Sequence, residues 1–282
     1  KYEYYHDFEN YLLIGTDATG NNKNGADYQG SMADFLMLVI VDKTENTYSF
    51  LQFNRDTMTE VALIDHNGEG EATANIQLCT AHWYGGNREQ SCENTVKSVK
   101  KLLGGIQIDG YYELNMSEIP KLNNMVDGVT VTLEDDFSKK YPKMKKGATI
   151  NLDDEQAYAY VHDRYGVGNE ENTSRMKRQQ QYMTGFFKKL QEKVKANPNY
   201  ANEVFESLQD VSTTDITIGK ISNISNIFAS GTDKGIFELA GKSKIGQALG
   251  DEIDHMEFYV NKKAMVSTMS ELFGIVEQKN KE

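Results

Sequence analysis

The strongest constraint on the fold is a nearly unbroken apolar run, FLMLVIV at residues 35–41, which opens on Asp34. A run without polar alternation is typical of a central strand that is covered on both faces of its sheet. The polar turn at 42–46 and the alternating segment at 47–53 predict an antiparallel partner strand. The run YLLI at 11–14 predicts another buried strand. Together these segments predict an α/β fold built on a sheet.

Helical segments follow the predicted strands. Periodicity and capping residues predict helices at 91–103, after the cap residue Asp153, and from Thr173 or Ser174 to about residue 195. Further short helices and one strand, at 256–260, are predicted for residues 200–275. The alternation of strands and helices supports the α/β class.

The charge of the chain argues against one class of function. Lys and Arg total 30 and Asp and Glu total 42, so the formal net charge is −12. A general DNA or RNA binder needs a basic footprint, and we therefore expect no nucleic-acid partner. The printed sequence also has no run of about 18 apolar residues, which is the length a membrane-spanning helix needs.

Arginine is scarce and unevenly placed. Only five of the 30 basic residues are arginine, and three of these fall between 164 and 178. The planar guanidinium binds phosphate or carboxylate through two parallel hydrogen bonds, which lysine cannot do. With Asp17 and Asp34 at predicted strand ends, Arg55, Arg164 and Arg175 suit a diphosphate bound with Mg²⁺. Taken singly, each aspartate also fits a turn or cap residue, and Arg175 also fits a salt bridge.

The two cysteines leave two interpretations open. Cys79 and Cys92 are 13 residues apart and can close a disulfide, which would indicate an oxidising compartment. Two buried free thiols fit the sequence equally well.

A set of short motifs occurs in a fixed order over about residues 11–195. They are LIGTD at 13–17, DFLMLV at 34–39, RD at 55–56, AN at 74–75, GG at 85–86, VDGV at 126–129, LDDEQA at 152–157, YVHDR at 160–164 and RMKRQQQ at 175–181. This ordered set resembles the LytR-CpsA-Psr family of bacterial cell-envelope enzymes.

The resemblance implies an α-β-α sandwich whose central mixed sheet encloses an apolar polyprenyl pocket. It also implies a phosphotransferase that moves a glycopolymer, of the teichoic acid or capsule type, from a polyprenyl-diphosphate carrier to peptidoglycan. Such enzymes act on the extracellular face of the cytoplasmic membrane and carry an N-terminal anchor, which we expect to precede Lys1. The implied domain organisation is a stalk remnant at 1–10, a single catalytic domain at 11–275 and a polar tail at 276–282.

The resemblance also assigns residues to the reaction. Asp17 and Asp34 are expected to bind Mg²⁺, and Arg55, Arg164 and Arg175 are expected to be catalytic by holding the diphosphate. These assignments rest on the family pattern and not on spacing alone.

Four further residues are expected to bind substrate, namely Asp56, His162, Asn172 and Gln179. The family usually has Arg where Met32 and His162 stand, and Asp where Asn172 stands. Loss of two guanidinium groups would weaken the diphosphate contacts, so a weakly active or non-catalytic binder of the same lipid-linked glycan is the alternative. A transcriptional regulator is a third class, which the net charge disfavours.

Overall fold

The computed structural model describes residues 6–17 and 28–274. The strands and helices, in chain order, are β1 (Phe8–Thr16), β2 (Ala33–Asp42), β3 (Thr47–Gln52), β4 (Met58–Ala62), β5 (Thr73–Gln77), α1 (Arg88–Leu102), β6 (Gly110–Asn115), α2 (Ile119–Met125), β7 (Thr130–Thr132), β8 (Thr149–Asn151), α3 (Asp154–His162), α4 (Asn172–Ala196), α5 (Tyr200–Ser207), β9 (Ser212–Thr214), α6 (Ile218–Ser230), β10 (Thr232–Glu238), β11 (Gly241–Gly246), β12 (His255–Val260) and α7 (Lys262–Phe273).

The chain forms two compact units. The first unit comprises the described residues up to Leu114, the segment Ser212–Thr217 and the described residues from Gly231 onward. The second unit comprises Asn115–Val211 and Ile218–Ser230. Each unit is described separately below.

The first unit is built on a six-stranded sheet in the order β10-β3-β2-β1-β6-β9. Pairs β1–β2, β2–β3 and β6–β9 are antiparallel, whereas β10 runs parallel to β3. The sheet is therefore mixed. The predicted α/β class with a central mixed sheet is confirmed, as are the three predicted strands β1, β2 and β3.

One face of this sheet forms the core of the first unit. Leu12, Leu38 and Leu51 lie on this face and are fully buried with Val99 of α1 and Phe273 of α7. Close packing of such side chains is the main source of stability in a domain of this size. Helices α1 and α7 therefore cover this face.

The opposite face of the central strands is less completely covered. The register places Gly15 opposite Phe35, Leu13 opposite Met37, and Tyr11 opposite Val39, so these side chains share that face. Leu13, Phe35 and Val39 are all partly exposed, although they lie on the two middle strands of the sheet. We call these three residues the open apolar face. Partly exposed apolar side chains at such central positions are typical of a surface that takes an apolar ligand.

The second unit packs helices around a core of its own. Val129, Tyr160, Tyr182 and Phe186 are buried together in this core. The cap of α3 is the predicted Asp153, whose side chain accepts from the backbone N–H of Gln156, while the Gln156 side chain accepts from the Asp153 N–H. This reciprocal capping box explains why the helix begins there.

Two local predictions need correction. Helix α4 begins at Asn172, with Glu171 as its N-cap, so neither Thr173 nor Ser174 is the cap residue. The C-terminal region contains four strands, β9 to β12, where one was predicted. The predicted strand at 256–260 is confirmed as β12, but its partner β11 is almost entirely exposed and has no apolar alternation to indicate a strand.

The expected domain boundaries stay a prediction. Strand β1 begins at Phe8, three residues before the predicted start of the domain, and the tail at 276–282 lies outside the described residues. Over residues 6–17 and 28–274, no helix combines the length and apolarity needed to cross a membrane.

Candidate active site

The two aspartates predicted to bind metal lie at adjacent strand ends in the first unit. Thr16 pairs with Ala33 next to a bulge, so Asp17 follows β1 directly and Asp34 is the second residue of β2. The backbone N–H of Asp17 donates to the carbonyl of Met32 at 3.0 Å, which fixes the end of β1 against the start of β2. Asp34 is buried, whereas Asp17 is partly exposed.

Arg55 follows β3 and contacts this acidic edge. Its Nη1 donates to Oδ1 of Asp34 at 2.5 Å, and its Nε lies 3.4 Å from Oδ1 of Asp56. Only 13% of the Arg55 side chain is exposed. A charge-assisted pair this close and this shielded from water holds the guanidinium in one orientation.

Two sulfur atoms complete the surroundings of this guanidinium. Nη2 of Arg55 contacts Sδ of Met32 and lies 3.1 Å from Sγ of Cys79. Burial raises the pKa of the Cys79 thiol to about 11, although the charge of Arg55 acts in the opposite direction. The thiol is therefore neutral at pH 7. Cys79 and Cys92 are both free and buried, so the free-thiol interpretation is confirmed over the disulfide.

The donor set at this edge fits Mg²⁺. Carboxylate oxygens are the ligands that Mg²⁺ prefers, and it commonly takes only one or two of them, with water and phosphate oxygens completing its shell. Asp17 and Asp34 supply that number, and Arg55 donates to Oδ1 of Asp34. Among the described residues, no cluster of three or more His, Cys, Asp or Glu side chains is arranged for a metal. A Mg²⁺ ion at Asp17 and Asp34 would therefore take some of its ligands from the phosphates of a substrate.

In the second unit, two predicted site residues lie at the end of α3 and just beyond it. His162 stacks on the ring of Tyr158 at 4.7 Å and lies 3.4 Å from the Asp163 carboxylate. Arg164 is partly exposed, lies over the ring of Tyr165 at 4.5 Å and donates to its hydroxyl group. Because 76% of Tyr165 is exposed, the Arg164 guanidinium is held at the surface by a ring that is itself largely in solvent.

Three more predicted residues lie in the first two turns of α4. Arg175 is buried, and its Nη2 donates to Oδ1 of Asn172 at 2.9 Å. Gln179 is also buried, and its Nε2 donates to the carbonyl of Val161 at 3.1 Å. Asn172 is thus not the cap of the helix but the residue that orients Arg175. Gln179 ties α4 to α3.

Arg178 was not assigned a role from the sequence, yet it is the most heavily bonded arginine in this region. It is 1% exposed, donates from Nε to the carbonyl of Tyr160 at 2.8 Å and from Nη1 to Oδ2 of Asp135 at 2.6 Å. Its Nη2 donates to the carbonyl of Asp163, and the guanidinium lies 5.3 Å from the Phe137 ring centre. The clustering of arginines in the sequence suggested that they bind an anion. For Arg178 the contacts above are with groups of the protein itself, so its role is structural.

A second buried network lies beside Asp17. Glu113 is 1% exposed, accepts from Oγ1 of Thr16 at 2.6 Å and accepts from Nη2 of Arg88 at 2.6 Å. No pattern in the sequence indicated this link because the three residues are far apart in the chain. It anchors the strand end from which Asp17 extends.

A comparison with known families identifies the chain. The model of the LytR_cpsA_psr family matches residues 2–273. The chain belongs to the LytR-CpsA-Psr family. It is 29% identical over 178 residues to the polyisoprenyl-teichoic acid–peptidoglycan teichoic acid transferase TagU of Bacillus cereus (strain AH820), an alignment that covers 63% of this chain and 51% of that protein. The chain thus spans about half the length of this curated relative.

Solved structures have the same fold. Protein gbs0355 from Streptococcus agalactiae superposes with a TM-score of 0.74 at 21% identity, over 94% of this chain and 86% of that chain. TagT bound to LI-WTA superposes with a TM-score of 0.68 at 20% identity, over 95% of this chain and 91% of that chain. At these identities the comparison shows the fold of the LytR-CpsA-Psr family.

The structure brings some predicted site residues into contact within each unit. Asp34, Arg55 and Asp56 form one group in the first unit, joined through Met32 to the backbone of Asp17. In the second unit, Arg175 contacts Asn172, while Arg164 and His162 lie at the end of α3. Binding of one diphosphate by residues of both groups stays a prediction.

Proposed function

We propose that the chain transfers a glycopolymer from a polyprenyl-diphosphate carrier to peptidoglycan at the outer face of the cytoplasmic membrane. The observation that carries the proposal is the Asp34–Arg55 pair at the acidic strand edge of a LytR-CpsA-Psr chain. Its relative from Bacillus cereus is named as a transferase of teichoic acid from a polyisoprenyl carrier to peptidoglycan. The acceptor is a peptidoglycan hydroxyl group, and the new bond is a phosphodiester.

Arg55 has the central role in the proposed reaction. An arginine already fixed by Asp34 and Asp56 loses little conformational freedom when a diphosphate binds. Its guanidinium then stabilises negative charge that develops on the phosphoryl oxygens as the carrier phosphate leaves. Mg²⁺ bound at Asp17 and Asp34 would neutralise further charge on the diphosphate. Arg164 and Arg175 are proposed to bind the same diphosphate.

The open apolar face supports a lipid-linked substrate. Leu13, Phe35 and Val39 leave apolar surface partly exposed on the middle strands, next to the strand ends that carry Asp17 and Asp34. Each methylene group that a polyprenyl chain buries there contributes about 0.8 kcal/mol. The lipid would therefore supply affinity, while the aspartates and Arg55 act on the diphosphate.

A transfer assay tests this function. The chain is incubated with Mg²⁺, a polyprenyl-diphosphate-linked glycan and a peptidoglycan acceptor, and the glycan bound to peptidoglycan is measured. Arg55→Ala is expected to lower the rate by about 10²–10³, as loss of one positioned donor commonly does. The matched control is Lys101→Ala, which removes an exposed cation paired with Glu60 at the surface.

Two further measurements keep the test decisive. Thermal unfolding of Arg55→Ala establishes that a lost rate is not lost structure, and calorimetric binding of a polyprenyl diphosphate separates binding from turnover. Wild-type chain that binds the lipid but transfers nothing, or an Arg55→Ala variant that remains as active as Lys101→Ala, would contradict the proposal.

A further inference from the structure

The strongest unexplained feature of the molecule is a basic loop in an acidic chain. Residues 138–147 follow a run of three acidic residues and contain no carboxylate themselves. The loop carries five lysines, namely Lys139, Lys140, Lys143, Lys145 and Lys146, and all five are exposed. We call residues 138–147 the lysine loop. So dense a positive charge is unusual in a chain of net charge −12.

The lysine loop is held in place by its apolar residues. Met144 and the preceding Phe137 are buried in the core of the second unit, and Tyr141 packs against them. The N–H of Phe137 donates to the carbonyl of Met144 at 2.9 Å, and the N–H of Met144 donates to the carbonyl of Tyr141 at 2.8 Å. Because the apolar side chains point inward, the lysines project outward together. The loop thus presents a defined basic surface.

The loop adjoins the second group of predicted site residues. Nζ of Lys140 lies 3.4 Å from Oδ2 of Asp163, the residue between His162 and Arg164. The lysine loop therefore contacts the residue that precedes Arg164 in the chain. Three carboxylates face it: Asp163 beside Lys140, Asp135 near Lys146, and Asp136, which accepts from the N–H and hydroxyl of Ser138. These offset only part of the charge of five lysines.

We propose that the lysine loop is a binding site for a polymer of repeated phosphodiesters, and that it holds the glycopolymer part of the substrate. Lysine provides mobile point charges, which suit a flexible chain of phosphates better than one fixed diphosphate. Spaced lysines along the loop contact successive phosphates, and each contact releases counterions. The identity of the polymer as substrate rests on the proposed function, whereas its binding to the loop does not. The loop therefore favours phosphate-bearing polymers over neutral polysaccharides.

The test compares two variants with the same change in charge. The loop variant replaces Lys139, Lys143, Lys145 and Lys146 by Gln and keeps Lys140, which pairs with Asp163. The control variant replaces four exposed lysines outside the loop, namely Lys97, Lys100, Lys234 and Lys242, by Gln. The probe is end-labelled, lipid-free poly(glycerol phosphate), and the readout is fluorescence anisotropy at several salt concentrations.

The loop variant is expected to bind this probe at least about tenfold more weakly at low salt and to show a shallower salt dependence. The control variant is expected to change affinity by less than about twofold, since dispersed surface charges act mainly through screened long-range attraction. Dextran and glycerol phosphate monomer should not compete. Equal weakening in both variants, or competition by dextran or by monomer at similar concentration, would overturn the proposal.

Two additional arms separate alternative explanations. Vesicles of phosphatidylcholine with phosphatidylglycerol test a lipid surface, and a loop variant that loses vesicle binding but keeps the polymer would refute the assignment. Transfer of an uncharged lipid-linked sugar should proceed equally in wild-type chain and loop variant. If wild-type chain transfers no sugar yet binds the polymer through the loop, the proposed function fails and the loop assignment stands. If the loop variant loses transfer of the uncharged sugar while wild-type chain keeps it, the assignment of the loop as a polymer site is contradicted.

Discussion

Arg178 provides the sharpest test of the structure because it is almost completely buried and fully engaged. Replacing it by Met keeps a similar length and volume but removes every donor. The carboxylate of Asp135 loses its partner at 2.6 Å, and the carbonyls of Tyr160 and Asp163 lose theirs. Asp135 keeps its hydrogen bond from Ser174 at 2.7 Å.

Removing one partner of a buried ion pair typically costs about 3–5 kcal/mol in the free energy of unfolding. We expect Arg178→Met to cost about 3 kcal/mol, at the lower end, because Asp135 is 13% exposed in its side chain and retains Ser174. Urea unfolding followed by circular dichroism measures the loss. Arg164→Met is the matched control, and its cost should stay below about 1 kcal/mol because its guanidinium is held by an exposed ring.

A double-mutant cycle with Asp135→Asn isolates the ion pair, and we expect a coupling of at least about 1 kcal/mol. Burial tends to raise the Asp135 pKa, but the hydrogen bonds from Ser174 and Arg178 lower it below its ordinary value. The pair therefore contributes stability above about pH 4 that is lost as the pH falls through the folded-state pKa. Equal costs for Arg178→Met and Arg164→Met, or no coupling with Asp135, would refute this reasoning.

Three other predictions follow from the cysteines, the Glu113–Arg88 pair and the α3 cap described above. Cys79 and Cys92 should not react with a thiol reagent at pH 8 in the folded chain and should both react in urea; labelling of either in the native state would contradict their burial. Glu113→Gln removes the charge that pairs with Arg88 and should cost about 2–4 kcal/mol in urea unfolding, and a neutral effect would show that the pair contributes little. Asp153→Ala removes the capping box of α3 and should cost about 1 kcal/mol by the same measurement; an unchanged stability would contradict this role of the cap.

Local sequence patterns predicted the strands and helices whose formation depends mainly on residues close together in the chain. The apolar run at 35–41 and its alternating neighbour became β2 and β3, and the cap at Asp153 began α3 as expected. Strands β10 and β11 were not predicted. β10 is defined by a parallel pairing with β3, which lies almost two hundred residues earlier in the chain, and β11 carries no buried face of its own. Such pairings are tertiary and leave little trace in a short window.

Some residues of the candidate site were predicted from the sequence, and others were missed. Asp34 and Arg55 were selected from their motifs, and their ion pair places them together. The sulfur contacts of Arg55 were not foreseen, because a methionine and a cysteine have no spacing that indicates an arginine partner. The role of Arg178 was missed for the same reason, since Asp135 and the carbonyl groups that it bonds are brought to it only by folding.

The pairing of β10 with β3 has a consequence for how this protein matures. The first unit draws its sheet from the beginning of the chain, but its edge strand and the helix that buries Phe273 against Phe8 come from the end. The ribosome releases that segment long after the strands near Phe8 have emerged. Until then those strands have an unpaired edge and an uncovered apolar surface, the kind of surface through which partly folded chains aggregate.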